Sequence, residues 1–330
     1  MLPAPVCRRV RPTTIFSAMT ATTLTSGVAH DELVATVALL QSSTLVKTHL
    51  GALIENVGSA VELLRDSFAQ TAAAAGQPEL FEPIPEAVQL AAANEVASWS
   101  EYAYDVSTVL DCMYPDMLRT IFNRPPLLFT EGNASVLNTV GVAIVGTRKA
   151  STLGLRRATK LARELGERKL TIVSGLAAGI DSAAHRAALD VGARTIAVVG
   201  TGLTKVYPKE NTLLAREIVA KGGALVSQFL PRTAPHSGNF PMRNITMSGL
   251  SVITVVVEAS NTSGARMQAR VALEHGRSVF LLQSLVEQHT WAREMVDVGV
   301  RGMRARVLRD VEELTLNLNP SFAPRAFAIA

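Results

Sequence analysis

Four segments, three of them glycine-bearing, carry the residues of this chain best suited to chemistry. They read VAIVGTRKASTLG, TIVSGLAAGIDSAAH, TIAVVGTGLTKVYPKEN and, after a fourth apolar run, FPMRN. Among their glycines stand Arg148, Lys149, His185, Lys205, Lys209 and Arg243. Glycine turns expose backbone N–H groups, and cationic side chains beside them suit a polyanion such as a nucleotide or a nucleic-acid backbone. In an open parallel sheet such loops gather at the carboxyl ends of the strands, near the point where the strand order reverses.

In the GTR turn, Gly146 permits a tight turn and Arg148 and Lys149 offer charge to a phosphate, Arg148 in two-point fashion. The helix that begins near Gly154 would add free N–H groups. A plain tight turn with Arg148 paired locally reads equally well. In SGLAAGIDSAAH, Gly175 and Gly179 remove side chains beside a ligand. Asp181 fits a helix start, where a carboxylate complements the dipole, and His185 fits a hydrogen-bonded structural histidine. The long GTGLTKVYPKEN loop offers Lys205 and Lys209 to phosphates, and Tyr207 either stacks on a base or packs a corner. Residues 229–244 read as a second long loop bearing Arg232, His236, Phe240, Arg243 and Asn244. An aromatic ring beside basic residues is the mixture that holds single-stranded nucleic acid. Ser263 and Gly264 mark a further anion nest at a helix start, and Glu258 is placed for a ribose hydroxyl or a nearby arginine.

Several chemistries lack their residues. No G-x-x-x-x-G-K-S/T loop occurs, GTG at 200–202 lacks the third glycine of a dinucleotide fingerprint, and no Ser, His and Asp set has nucleophile spacing. Two cysteines, Cys7 and Cys112, make neither a disulfide framework nor a metal cluster, and fit a reducing cytoplasm. No catalytic residue, metal or cofactor is therefore expected. The net charge of +4 permits nucleic-acid binding without demanding it. No apolar run approaches the roughly 20 residues of a membrane helix.

The elements that must position these loops alternate regularly. Apolar strands are expected at Val142–Val145, Thr171–Ser174, Thr195–Val199, Ala224–Ser227, Val252–Glu258 and Ser278–Leu282, with helices near 155–168, 180–192, 211–221 and 264–276. Repeated βα units of this size predict an α/β fold with a doubly wound parallel sheet. A short strand and a final helix are expected over 307–318. Upstream, residues 1–30 read as a disordered extension, with Met19 an alternative start. Residues 31–68 read as a small helical module with helices at 31–41, from Thr44 to Gly58, and from Ser59. Residues 69–113 read as a linker and a helix from Glu86 to Asp111, 114–133 as an irregular connector opening the sheet domain of 114–318, and 319–330 as a flexible tail.

Together, VAIVGTRKASTLG, IVSGLAAGIDSAAHRAAL, TIAVVGTGLTKVYPKEN, GGALVSQF, FPMRN, GLSVITVVVEA and SGARMQARVALEHGRSVF resemble the DprA/Smf family across about residues 31–310. The resemblance implies an extended Rossmann-like fold with a small helical, SAM-like N-terminal domain, a homodimer, and a basic pocket for single-stranded DNA that is delivered to the RecA recombinase during DNA uptake and recombination. It implies backbone-contacting roles for Arg148, Lys209 and Arg243, flanked by Phe240 and Asn244, and binding without turnover. The chain departs from the family pattern at Ile245 for a basic residue, Gln228 for a glutamate, Gln268–Ala269 for Thr-Ala, and QSLVEQHTWAREM after the last strand, and the winged helix of many members has no counterpart here. The departures at Ile245 and Gln228 imply a weakened or retuned pocket. The alternative is a DprA-like regulator or antitoxin in an anti-phage module, binding a protein encoded next door. A phosphoribohydrolase-like enzyme is disfavoured because ASNTSGA lacks the PGG-x-GT loop.

Overall fold

Strands that are apolar at nearly every position form where helices cover both faces of a sheet. The computed structural model describes residues 27–42, 49–65 and 84–318. The chain opens with α1 (Gly27–Gln41), α2 (Leu50–Val57), α3 (Ala60–Leu64) and α4 (Glu86–Ser98). It continues through β1 (Asp105–Thr108), α5 (Asp116–Arg119) and β2 (Leu127–Gly132). The βα alternation then runs β3 (Gly141–Gly146), α6 (Thr152–Glu167), β4 (Thr171–Ser174), α7 (Ile180–Asp190), β5 (Thr195–Val198), α8 (Thr212–Ala220) and β6 (Ala224–Ser227). After α9 (Asn239–Gly249) come β7 (Ile253–Glu258), α10 (Gly264–Glu274), β8 (Ser278–Leu282), α11 (Gln283–Gln288), α12 (Thr290–Asp297), β9 (Arg306–Leu308) and α13 (Glu312–Leu316).

The six expected strands and the four helices between them are present, as are the last strand and helix. Ser59 caps α3 by accepting from the Glu62 N–H, and Gly58 closes α2 at φ 81°. α1 begins at Gly27, inside the stretch expected to be disordered; residues 1–26, the start of the expected second helix at 44–48, most of the expected linker and the tail from 319 lie outside the described residues.

Three expectations are corrected. The helix from Glu86 stops at Ser98, and Asp105–Thr108 is a strand rather than its continuation. The connector 114–133 contains α5 and β2, and β1 and β2 extend the sheet as an antiparallel edge. Local proline punctuation concealed β2, whose apolar run LLF gains its identity by pairing with β6. Within the expected 229–244 loop, α9 starts at Asn239. Its Pro241 sits in the first turn, where the missing N–H would have had no intrahelical partner. Arg243, Asn244, Thr246 and Ser248 are buried on it, so it shows no amphipathic stripe.

The sheet is Rossmann-like and doubly wound, with strand order β1-β2-β6-β5-β4-β3-β7-β8-β9. β3 pairs in parallel with β4 on one side and β7 on the other. The chain winds outward from β3 to β6, then returns to start β7 beside β3. The order therefore reverses between β3 and β7, which opens a crevice at their carboxyl ends. The register shifts between Val145 and Gly146 at that point, a local irregularity of the kind that re-aims side chains at sites.

One face of the sheet buries Val142, Ile144, Ile172 and Val255 against Ala158, Leu161 and Leu165 of α6 and Ile180 and Ala184 of α7. The other gathers Ala143, Val145 and Val256 with Met247, Ala265, Ala269 and Leu273 of α9 and α10. The N-terminal helices are tied to the connector: Glu55 of α2 pairs with Arg119 at 2.9 Å and also with Arg124. Trp99 meets Phe129 of β2 edge-on, ring centroids 4.7 Å apart, in a cluster shared by α1, α4 and the sheet. Phe129 is fully buried. Phe129→Ala is expected to cost about 3–5 kcal/mol, read as a lower urea midpoint at unchanged m-value; a loss below about 1 kcal/mol would mean the helical module is not anchored through this ring.

Candidate functional site

The crevice between β3 and β7 is a cleft of about 440 Å³. The turn after β3 contributes Gly146, Thr147, Arg148 and Lys149. The turn after β7 contributes Ser260, Thr262, Ser263 and Gly264, and α9 closes the third side with Phe240, Arg243, Asn244 and Met247. Eight of the twelve residues singled out in the sequence thus meet in one place: Gly146, Arg148, Lys149, Phe240, Arg243, Asn244, Ser263 and Gly264.

Arg148 and Lys149 are exposed. The Arg148 guanidinium lies over the Phe240 ring at 4.9 Å from its centroid, a cation–π contact that fixes the cation without neutralising it. Phe240 in turn lies 5.9 Å from Tyr207, centroid to centroid. Charge and two ring faces therefore form one row along the rim.

Arg243 plays a different part from the one its sequence context suggests. It is 7% exposed, and its Nη1 donates to the carbonyls of Gly175 and Val198 at 2.7 and 2.6 Å, while Nε donates to Asn244 Oδ1 at 3.2 Å. Burial lowers its pKa, against the pull of Asp181, and Arg148 lowers it further. Asp181 is buried too; burial raises its pKa, opposed by Arg243 and by the N–H groups of Ala177 and Gly175 that it accepts from. Arg243 thus holds the ends of β4 and β5 to α9 and presents only its remaining edge to the cleft. Asn244, 4% exposed, donates to the Gly264 carbonyl at 3.3 Å and links α9 to the start of α10.

The glycines of SGLAAG lie against the protein's own groups. A Cβ on Gly175 would overlap the Arg243 guanidinium, so this glycine is the seat of the clamp. Gly179, at φ 78°, lets the backbone pass against Thr147 and Arg148. The expected anion site at the start of α6 is also filled from within. Glu258 accepts from the Ser151 N–H at 3.1 and 3.2 Å and from its hydroxyl at 2.7 Å, and Ser151 Oγ accepts from the Gly154 N–H. A carboxylate there complements the helix dipole and fills the place a phosphate would take, so Glu258 is engaged by Ser151 rather than by an arginine. α10 starts differently: Ser263 Oγ accepts from the Ala265 N–H, and the space beside Gly264 is open.

Lys205 and Lys209 are exposed but stand outside the cleft, in an adjoining groove with Tyr104, Tyr207 and Glu131. Burial raises the pKa of Glu131, and burial, then Glu131 and Tyr102, push Tyr104 up to about 12. Two of the family departures also lie off the cleft. Ile245 packs against the core beneath α9, and Gln228 accepts from the Thr246 hydroxyl. The third departure, Gln268, lines the cleft one turn beyond Gly264. The signal that places it there is the i, i+4 spacing from Gly264.

His185 is the structural histidine expected. Thr195 Oγ1 donates to the Ile172 carbonyl, so it accepts from His185 Nδ1 at 2.7 Å. Burial, then Arg243, lowers the His185 pKa from 6.5 to about 3. The unfolded chain therefore gains a proton below pH 6.5 that the folded protein refuses. Stability tied to His185 is complete above pH 6.5 and is lost as the pH falls toward 3, at roughly 1.4 kcal/mol per pH unit. His185→Gln is expected to remove that slope from urea-unfolding free energies measured between pH 6.5 and 4.5. A profile parallel to wild type would show that His185 titrates alike in both states.

Comparison with known proteins reaches the same residues. Residues 105–318 match the family described as DNA recombination-mediator protein A. Protein Smf of Escherichia coli is 44% identical over 169 residues, 51% of this chain and 45% of that protein. The DNA processing protein DprA of Streptococcus pneumoniae is 42% identical over 175 residues, 53% of this chain and 61% of that one. The matched stretches thus span about half the length of these curated relatives. The X-ray structure of the S. pneumoniae DprA superposes with a TM-score of 0.66 at 31% identity, covering 84% of this chain and 95% of that chain. The Helicobacter pylori DprA, described for its single-stranded DNA binding mode, superposes at 0.57 with 27% identity, covering 66% of this chain and 96% of its own. With β3 to β9, the cleft and its basic rim all inside the matched stretch, the chain belongs to the DNA recombination-mediator protein A family.

Proposed function

We propose that this protein binds single-stranded DNA along the rim and cleft at the β3–β7 switch point, and that it delivers the strand to a RecA-type recombinase as a homodimer rather than turning it over. The observation that carries this reading is the row Arg148–Phe240–Tyr207. Cationic groups with no acidic partner among the described residues draw in the phosphates, and ring faces stack bases of any sequence. Lys149 beside Arg148, and Lys205 and Lys209 in the adjoining groove, extend the charge along the path a strand would take past Tyr207. The carboxylates close to the cleft are already engaged: Asp181 with backbone N–H groups and Glu258 with Ser151. That supports binding over catalysis. The relatives named above, one of them described with single-stranded DNA, support the same reading.

The test is fluorescence anisotropy of labelled oligo-dT and a matched duplex across a salt series. Wild type is expected to prefer the single strand and to weaken steeply with salt. Arg148→Ala is expected to bind about ten-fold more weakly and to reduce the slope of log K against log salt by about 0.7, the share of one phosphate contact on a single strand. Gly175→Ala, which displaces the Arg243 clamp, is expected to weaken binding as Arg243→Ala does. Absence of binding at low salt would overturn the proposal and turn the search toward a protein partner.

A further inference from the structure

Gln268 is 1% exposed, and neither its Nε2 nor its Oε1 has a hydrogen-bond partner among the described residues. A buried amide left this way costs stability, because it has surrendered its water and gained nothing in return. Of the described side chains with such atoms, Gln268 alone lines the cleft. It follows Gly264 by four residues, so it sits one helical turn, about 5.4 Å, below the open N-terminal end of α10 on the same face. Val145, Met247 and Met267 supply apolar wall around it, and Phe240 bounds the cleft on the α9 side.

We infer that Gln268 reads the edge of a nucleobase held in this cleft and gives the protein a base preference, an inference that rests on the strand-binding reading above. The amide presents one donor beside one acceptor in a plane. A phosphate offers only acceptors and satisfies Nε2 alone; an ammonium satisfies Oε1 alone; a base edge with a neighbouring donor and acceptor satisfies both. Every base carries such a pair on its pairing edge; adenine carries it on two edges, at N6 with N1 and at N6 with N7, the latter the established bidentate match to a glutamine amide, which makes it the best-suited base. The apolar wall accepts the ring faces. Arg148, Lys149 and the start of α10 stand where the phosphate of the same nucleotide would lie. The nucleotide belongs either to a bound strand or to a free mononucleotide, and the two sources share this chemistry.

The experiment uses the full chain and labelled strands of about 20 nucleotides, longer than a typical site of ~4–16: dA, dC, dT and an abasic backbone at fixed salt. Wild type is expected to bind dA about ten-fold more tightly than the abasic strand, with dC and dT between. Gln268→Leu is expected to bind dA, dC and dT alike, each still more tightly than the abasic strand through the ring faces, and to unfold at the same or a higher temperature, since it removes an unpaired amide. Gln268→Glu, which keeps the shape and removes the donor, is expected to lose the preference as well. Free dAMP that displaces labelled dA at millimolar concentration assigns the cleft to a mononucleotide, and failure to displace assigns it to a base within the strand; both support a base-reading Gln268. Equal wild-type affinity for all four strands, or a preference that survives Gln268→Leu, overturns the inference and leaves strand binding intact. Absence of binding to every strand overturns both.

Discussion

The burial of one guanidinium sets most of this site. Arg243 reaches from α9 across the ends of β4 and β5, and its bonds to Gly175 and Val198 replace the water it gave up. A charge this deeply buried persists only when hydrogen-bonded and offset, and Asp181 supplies the offset from the start of α7. The clamp fixes the rotation of α9 about its axis. Phe240, three residues earlier on the same helix, is thereby held where Arg148 lies over its ring and Tyr207 meets it at a tilt of 44°. Asn244, the next residue, carries the constraint to α10. The aromatic and basic row on the rim is a consequence of a bond network that lies beneath it.

The helix starts around the crevice divide their roles. The start of α6 is closed by Glu258 and Ser151, and the turn into α7 by Asp181, so both of these positive helix ends are complemented by the protein's own carboxylates. The start of α10 has only the Ser263 hydroxyl and open space at Gly264. An anion approaching the switch point therefore finds the α10 end and the Arg148–Lys149 pair, rather than the first βα turn that many nucleotide-binding sheets use.

Departures from a family pattern differ in meaning according to where the fold puts them. Ile245 and Gln228 occupy positions that suggest a damaged pocket when read along the chain, yet one packs into the core and the other bonds to Thr246. Neither subtracts a group from the cleft wall. The glutamine at 268 is inside the wall, with its amide unpaired. The change with a chemical consequence for a ligand is thus the one that linear comparison made least conspicuous.

The sequence by itself determined the parallel core of the sheet. Continuous apolar runs at regular spacing, the first three closed by glycine and most followed by a helical period, have few other ways to bury both faces. It also identified most of the residues that line the cleft, because glycine turns and cations at strand ends are local signals. It did not reveal β1 and β2: β2 takes its identity from pairing with β6, about a hundred residues later in the chain, and β1 from pairing with β2. It did not reveal α9, whose buried polar residues hide its period, nor that Arg243 is a clamp and Glu258 a cap, since both roles are bonds to backbone brought near by folding. Lys205 and Lys209 looked equivalent to Arg148 in their loop chemistry, and strand order alone set them in a different groove. Residue type and spacing decide which groups are able to bind; which of them remain free to do so is decided by the tertiary contacts that satisfy the others first.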